Sequence, residues 1–373
     1  MNRLPGLDLM RAIAVVWVML FHSFLVGGLG EDFAWLSRFG WVGVDIFFVL
    51  SGYLIGTQVL KPLAAGARLS FGDFYRRRAY RILPAFAVVL MLYLWFPALR
   101  ESPGLAPWWQ FATFTLNLLI DYTHYQAFSH AWSLCVEEHF YLLFPLLAWC
   151  LARKPSRWRF AMVFCGVLLV GLVLRTTIWL HGASLDPPRN WFVEDIYYPT
   201  WTRLDGLLMG VGLATLRVYR ADVWSRLQAH ANIVLFTGLM VLALALWLFR
   251  DRTGLLGNSI GWPVLSFGLA LLVFAAAERN SIIGRWRIPG AGWIAAISYS
   301  LYLSHKIAFH VVQTQLGAII EGRGLLAFAV YAMATLLLGA ALHYAVELPF
   351  LRRRDRARRL PASASAPAVA QAG

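Results

Sequence analysis

The sequence predicts an all-α fold: a polytopic transmembrane helix bundle of about ten spans with both termini cytoplasmic. Three observations predict it. The composition is apolar and poor in charge, apolar segments of about 20 residues recur along the chain, and basic residues concentrate in every second connecting loop. Of 373 residues, 60% are hydrophobic and 14% charged, with a mean hydropathy of +0.61, whereas soluble domains carry roughly a quarter charged residues.

The spans fall near 10–29, 41–60, 79–97, 132–152, 158–180, 196–217, 231–249, 258–278, 292–316 and 324–348. The first has no small-residue cleavage site after it and holds Arg11 in its first turns, which marks a retained helix rather than a removed signal peptide. With the N-terminus inside, 23 Lys and Arg lie in inside segments and six in outside loops. That asymmetry sets orientation, and it follows the alternation only if the number of spans is even. The formal charge of +14 is therefore topological, and membrane lipids rather than nucleic acid are the expected partners. Residues 101–131, with Trp108 and Trp109, read as an irregular or interfacial loop. Cys135, Cys150 and Cys165 are isolated free cysteines without metal spacing, and no metal site is expected. The membrane domain spans 1–355. The remainder, 356–373, ends in "LPASASAPAVAQAG" and is expected to be a disordered cytoplasmic tail. No internal repeat stands out, which weakens a transporter reading.

Ionisable residues inside a bilayer cost several kcal/mol unless paired or hydrated, so each is a functional candidate. Arg11 and His22 stand eleven residues apart, about three turns and roughly 16 Å along one helix face. They suit the two ends of an elongated substrate with a phosphate head and a reactive tip. In "GWVGVDIFFVLSGYLIG" (40–56), Asp45 has two readings: it orients His22 and stabilises its protonated form, or it caps the helix start. "FGDFYRRRAYRILP" (71–84) gathers Arg76, Arg77, Arg78 and Arg81 beside Tyr75 and Tyr80, a clamp for phosphates with a stacking surface for an adenine ring. In "HAWSLCVEEHFYLLFP" (130–145), His130, Ser133 and Glu137 share a face at steps of three and four, and at least one of Glu137 and Glu138 must point inward. "TRLDGLLMGVG" (202–212) supplies Arg203 and Asp205, expected to pair with each other. "SYSLYLSHKI" (298–307) places Tyr299, Tyr302, His305 and Lys306 in mid-membrane.

Taken together, Arg-x10-His, "GVDIFFVLSGYLI", the RRxxR loop, "WSLxxEExFY", "TRLDGLLxG", "YSLYLxH" and a terminal "ELPF" resemble the acyltransferase 3 family, integral membrane O-acyltransferases of bacterial surface polysaccharides and some small molecules. The resemblance covers roughly residues 3–355. It implies that Arg11 and His22 are essential, that Arg78 and Arg81 help hold an acyl-coenzyme A, and that Glu137 belongs to the fourth-helix signature. Leu9 stands where the family often has Gly, and Ser304 where it often has Trp. No hydrolase-like domain follows the bundle, so the membrane unit is expected to deliver the acyl group by itself.

The reading that follows is a membrane O-acyltransferase of the bacterial inner membrane. It moves an acyl group, acetyl by the family's habit, from cytoplasmic acyl-CoA to a carbohydrate hydroxyl on the periplasmic side. Acyl-CoA is its co-substrate and no cofactor is permanently bound. His22, Glu137 and Asp45 form the catalytic set, with Glu137 or Asp45 orienting His22 and Arg203 or Lys306 stabilising the oxyanion. Arg11, Arg77, Arg78 and Arg81 hold the donor, and His130, Ser133, Arg203, Asp205 and His305 meet the acceptor. Direct transfer and an acyl-histidine relay both fit. Trp35, Trp41, Trp108, Trp109, Trp132, Trp191 and Trp201 fall on the outer side, where they serve either as sugar-stacking faces or as an interfacial belt. The rival is a transporter or flippase of a lipid-linked sugar or small anion, which would release no free coenzyme A.

Overall fold

The computed structural model describes residues 4–26, 34–182 and 190–357, and among them no strand forms beyond one isolated bridge between Leu105 and Ala127. Helices carry the chain: α1 (Pro5–His22), α2 (Ala34–Arg38), α3 (Val42–Ala64), α4 (Phe71–Trp95), α5 (Trp108–Ala112), α6 (Trp132–Ala152), α7 (Arg157–Gly182) and α8 (Asp205–Tyr219). They continue with α9 (Ala221–Ala229), α10 (Ala231–Leu248), α11 (Trp262–Ala277), α12 (Ile282–Arg285), α13 (Ala291–Ile320), α14 (Leu325–Leu342) and α15 (Leu348–Ala357). Arg3, Arg189, the Trp35 side chain and the 358–373 part of the expected tail lie outside the described residues.

Eight helical segments are long and apolar enough to cross a bilayer. Two of the ten expected spans are not among them. α13 has the length, 30 residues, but Ser298, Ser300, Ser304, His305 and Lys306 make it more polar. The segment expected at 196–217 is not one helix at all. It is a π-helical turn (Phe192–Tyr197), a short turn (Thr200–Thr202) and then α8 with only 15 residues. Pro199 lies in the break, where its ring and missing N–H oppose helix continuation. Irregular backbone at this depth is tolerated only where protein covers it, and here Thr202, Arg203 and Asp205 are all buried.

A central set of helices carries the polar residues, and an outer set shields it. α3, α11 and α13 are largely buried. α7, α10 and α14 expose apolar faces such as Leu169, Val170 and Val173, Ile233, Phe236 and Met240, and Leu325, Met333 and Leu337. Side chains of that kind on the outside suit contact with acyl chains rather than water. Cys150 and Cys165 are exposed and only Cys135 is buried; all three are free.

The closest helix contact is α3 against α8, and glycine makes it. A Cβ on Gly52 would meet the Leu207 carbonyl oxygen at 2.0 Å, and one on Gly210 would meet that of Val49 at 2.2 Å. Gly52-x3-Gly56 and Gly206-x3-Gly210 thus form facing small-residue seams that let backbones touch, the usual basis of helix association in lipid. The seam fixes the broken segment, with Arg203 and Asp205, against the first turns of α3.

The 97–131 connection is irregular around α5 and folds into the bundle rather than away from it. Phe128 sits at its centre in the left-handed region (φ 57°), a conformation a bulky residue holds only when its surroundings enforce it. Its ring stacks on Tyr93 at 4.6 Å and on Phe111 at 5.3 Å, and its N–H donates to Glu101.

Candidate active site

Two cavities lie in series along α1. The first is lined by Arg11, Ser51, Arg78, Arg81, Glu137, Glu138, Tyr141 and Tyr299 among others; the second by His22, Trp41, Ser129, His130, Trp132, Arg252 and Lys306. Val44 and Tyr302 line both. The two ends of the Arg11–His22 pair therefore open into two adjoining spaces, one rich in arginine and one in imidazole and aromatic rings.

The arginine cavity is built by the N-terminal half of α4. Ser70 caps that helix by accepting from the Asp73 N–H, and Asp73 then pairs with Arg76 at 2.6 Å and Arg77 at 3.2 Å. One turn further, Arg78 and Arg81 face inward. Arg81 pairs with Glu347 at 2.6 Å, and Glu347 also accepts from Ser300 and contacts His343, each at 2.8 Å. Arg11 has Asp8 at 3.8 Å. Among the described residues Arg78 faces no carboxylate within ion-pair distance; it reaches Gln58 at 3.5 Å, lies over the Tyr141 ring and leaves its buried Nε without a hydrogen-bond partner. Arg77, expected in the clamp, is not brought to this cavity. Of the expected stacking pair, Tyr75 instead bonds the Leu142 carbonyl and Tyr80 packs on Phe350.

Glu137 was expected at His22 and lies in the arginine cavity instead. It accepts from Tyr141 at 2.5 Å, and Tyr141 also reaches Ser51 at 3.1 Å. The expected His130–Ser133–Glu137 face spans both spaces: His130, in the turn before α6, reaches the second cavity, and Ser133 and Glu137 of α6 the first. Ser133 Oγ lies 2.6 Å from the Tyr302 hydroxyl, which donates to the His130 carbonyl at 2.7 Å.

Around His22 the geometry assigns a proton order. Nδ1 of His305 lies 2.8 Å from the Tyr302 carbonyl, and a carbonyl only accepts, so that nitrogen carries the hydrogen. In a neutral His305 ring Nε2 is then an acceptor. It stands 2.9 Å from Nδ1 of His22, which must donate to it. The lone pair of His22 is thereby placed on Nε2. The rings stack at 4.9 Å, and His130 stands 6.3 Å from His22 and 5.0 Å from His305. Among the described residues no group of three or more His, Cys, Asp or Glu is arranged to hold a metal ion. Lys306 completes the cluster, buried and paired with Glu101 at 3.3 Å.

The expected roles of Asp45, Arg203 and Asp205 need correction. Asp45 neither orients His22 nor caps its helix through a side-chain bond; it pairs with Arg203 at 2.8 Å. Arg203 is buried over Trp262 at 3.8 Å and Tyr197 at 4.5 Å and is not among the residues lining either cavity. Asp205 pairs not with Arg203 but with Arg175, through contacts of 2.7 and 3.2 Å. Residues two apart at a helix start do not face each other, which is why the adjacent-looking pair exchanges partners. His305 takes the place against His22 that the sequence assigns to Asp45 or Glu137.

Sequence reasoning missed three of these groups. Arg175 and Glu347 were each a lone charge in an apolar span, signal enough to demand a partner. Arg252 was counted only as a loop charge. Of the outer tryptophans, Trp41 and Trp132 line the His22 cavity, whereas Trp108, Trp109 and Trp201 are exposed.

Comparison with known proteins fits this arrangement. Residues 4–344 match the family profile described as an acyltransferase domain, Acyl_transf_3. The chain is 28% identical over 325 residues to the O-acetyltransferase OatA of Staphylococcus aureus strain NCTC 8325, covering 81% of this chain and 50% of that protein. It is 29% identical over 329 residues to the putative O-acetyltransferase SACOL0978 of S. aureus strain COL, covering 82% and 50%. The chain thus spans about half the length of these curated relatives. No solved structure matches. A match across nearly the whole helical bundle, including both cavities, makes this chain a member of the acyltransferase 3 family.

Proposed function

We propose that this protein transfers an acetyl group from acetyl-coenzyme A to a hydroxyl of a carbohydrate acceptor. The observation that carries the reading is the meeting, at Val44 and Tyr302, of a cavity lined by three arginines with one lined by His22, His130 and aromatic rings. The donor's phosphates lie with Arg11, Arg78 and Arg81, where charge-assisted bonds to phosphate are strongest. Its pantetheine arm extends along α1, and the thioester reaches the His22 side. The names of the relatives, both O-acetyltransferases, support acetyl as the group and oxygen as its acceptor.

In the chemical step, Nε2 of His22 takes the proton of the acceptor hydroxyl as its oxygen attacks the thioester carbon. Lys306 faces the charge that develops on the carbonyl oxygen. Collapse expels the coenzyme A thiolate, which recovers the proton, leaving an O-acetyl ester and free coenzyme A. His305 holds the imidazole in the required tautomer throughout. An acyl-histidine would use the same nitrogen, and rapid quenching with labelled acetyl-CoA and no acceptor separates the two routes.

The orientation rests on the charge bias of the loops. Counting the eight apolar helical segments, α13 and the broken 192–219 segment as ten crossings, this reading takes the arginine cavity as facing the cytoplasm across the inner membrane, in line with that bias. Trp41, Trp132, Tyr197 and Tyr198 offer stacking faces to a sugar in the other cavity. The deciding experiment follows free coenzyme A and ester formation together, with purified protein in nanodiscs, acetyl-CoA and cell-surface glycan. Stoichiometric release of both products supports transfer; transport of the glycan without thioester cleavage overturns it.

A further inference from the structure

In the half of the bundle around His22, buried basic side chains face their own carboxylates. Arg175 has Asp205, Arg203 has Asp45 and Lys306 has Glu101. Arg252 breaks the pattern. Among the described residues no carboxylate lies within ion-pair distance of it, and its buried Nε has no hydrogen-bond partner. The nearest acidic neighbour in sequence, Asp251, is engaged by Thr253 through its N–H at 3.0 Å and its hydroxyl at 2.9 Å.

What surrounds the guanidinium instead is aromatic. Its carbon stands 4.5 Å from the Tyr197 ring centre, 5.1 Å from Phe21, 5.4 Å from Trp41 and 5.5 Å from Phe192. Ring faces hold a cation and replace part of its hydration, but they offer nothing to its N–H groups. Tyr197 makes the contrast direct, because Arg203 stands at the same 4.5 Å from that ring and has its carboxylate. The cage is also anchored: the Arg252 carbonyl accepts from Asn258 at 3.0 Å, and Asn258 donates again to Gly254 at 3.0 Å. Arg252 lines the same cavity as His22.

We infer that Arg252 receives an anionic group, a carboxylate or phosphate, carried by the acceptor close to the hydroxyl that is acetylated. The inference rests on the proposed function in taking this cavity as the acceptor's. Arg252 is half-buried, and its enclosed Nε without a partner is costly, while a planar guanidinium held by rings keeps its forked N–H edge for a two-oxygen anion. A neutral sugar would stack in the cavity and leave Arg252 unpaired. An anionic one supplies the missing charge and fixes which hydroxyl meets Nε2 of His22.

The test measures binding apart from chemistry. Purified protein in nanodiscs is titrated with three radiolabelled probes: methyl β-D-glucoside, the corresponding glucuronide, and the glucoside 6-phosphate. At least one anionic probe should bind roughly tenfold or more tightly than the neutral one, the scale of a charge-assisted contact. The two anionic arms tell carboxylate from phosphate. Arg252→Gln should erase the preference and Arg252→Lys should keep part of it, with acetyl-CoA binding in the other cavity unchanged as the check on folding. Equal affinity for all three probes in the wild type, no detectable binding of any, or a preference that survives Arg252→Gln overturns the inference. Arg252-dependent binding without acetyl transfer would sink the acyltransferase reading and leave this one standing. Equal acetylation of neutral and charged probes would do the reverse.

Discussion

Nε2 of His305 stands 2.9 Å from Nδ1 of His22, and the Tyr302 carbonyl on the far side of His305 decides which ring donates. The pair behaves as an oriented base, with the backbone of α13 as its fixed end. His22→Ala should abolish transfer, a loss on the order of 10²–10⁴. His305→Ala should lower kcat by roughly tenfold to a hundredfold, about 1.4–2.8 kcal/mol, with little change in the donor KM. Steady-state kinetics on purified variants checks both, and a His305→Ala enzyme with wild-type kcat would remove the tautomer argument.

Arg78 and Arg81 should separate, although both line the donor cavity. Among the described residues Arg78 has no carboxylate partner and its Nε is unbonded, so Arg78→Ala should chiefly raise the KM for acetyl-CoA, a loss of about 1.5–3 kcal/mol of binding shared by ground and transition states. Arg81→Ala also strips Glu347 of its arginine and should lower thermal stability. Equal melting temperatures for the two variants would contradict that division.

The Arg175–Asp205 pair is fully enclosed, so breaking it strands a charge. Asp205→Asn should destabilise the fold by about 3–5 kcal/mol, whereas Arg175→Met with Asp205→Leu should recover most of the loss. Expression and thermal unfolding in detergent report both. A single variant as stable as the double would mean that water reaches the arginine.

Donor and acceptor should enter from opposite faces. In right-side-out proteoliposomes, an external glycan should be acetylated only when acetyl-CoA is sealed inside. Acetylation with the donor supplied outside alone, in vesicles shown to be tight, would reverse the orientation read from the charge bias.

Much of this was legible from residue type alone, because a bilayer makes each interior charge conspicuous. Arg11, His22, Arg78, Arg81, Glu137, His130 and His305 all line one of the cavities or touch a residue that does. What stayed hidden was pairing. Asp45, Arg203, Asp205 and Arg175 form two ion pairs, and nearness in sequence suggests the wrong partition, since the true one depends on how α8 is seated against α3 by Gly52 and Gly210. The broken 196–217 segment hid for a related reason: its composition is that of a span, and only Pro199 and the buried polar residues beside it mark the interruption. Arg252 was invisible as a site, since a loop arginine looks like topology until its rings are placed around it.

Tyr302 lines both cavities, bonded to Ser133 on one side and to the His130 carbonyl on the other. On the proposed reading, with a coenzyme arm entering from one face and a sugar from the other, Tyr302 and Val44 mark the place where the two spaces meet. That makes Tyr302 a matter of bioenergetics as well as chemistry, because any membrane that holds a proton gradient must be closed to protons. Removing the ring should cost the cell its seal before it costs the enzyme its donor. Proteoliposomes holding Tyr302→Gly should dissipate an imposed pH gradient faster than those holding wild-type protein, as read by an enclosed pH dye. A gradient held equally well by both would put the seal elsewhere in the bundle.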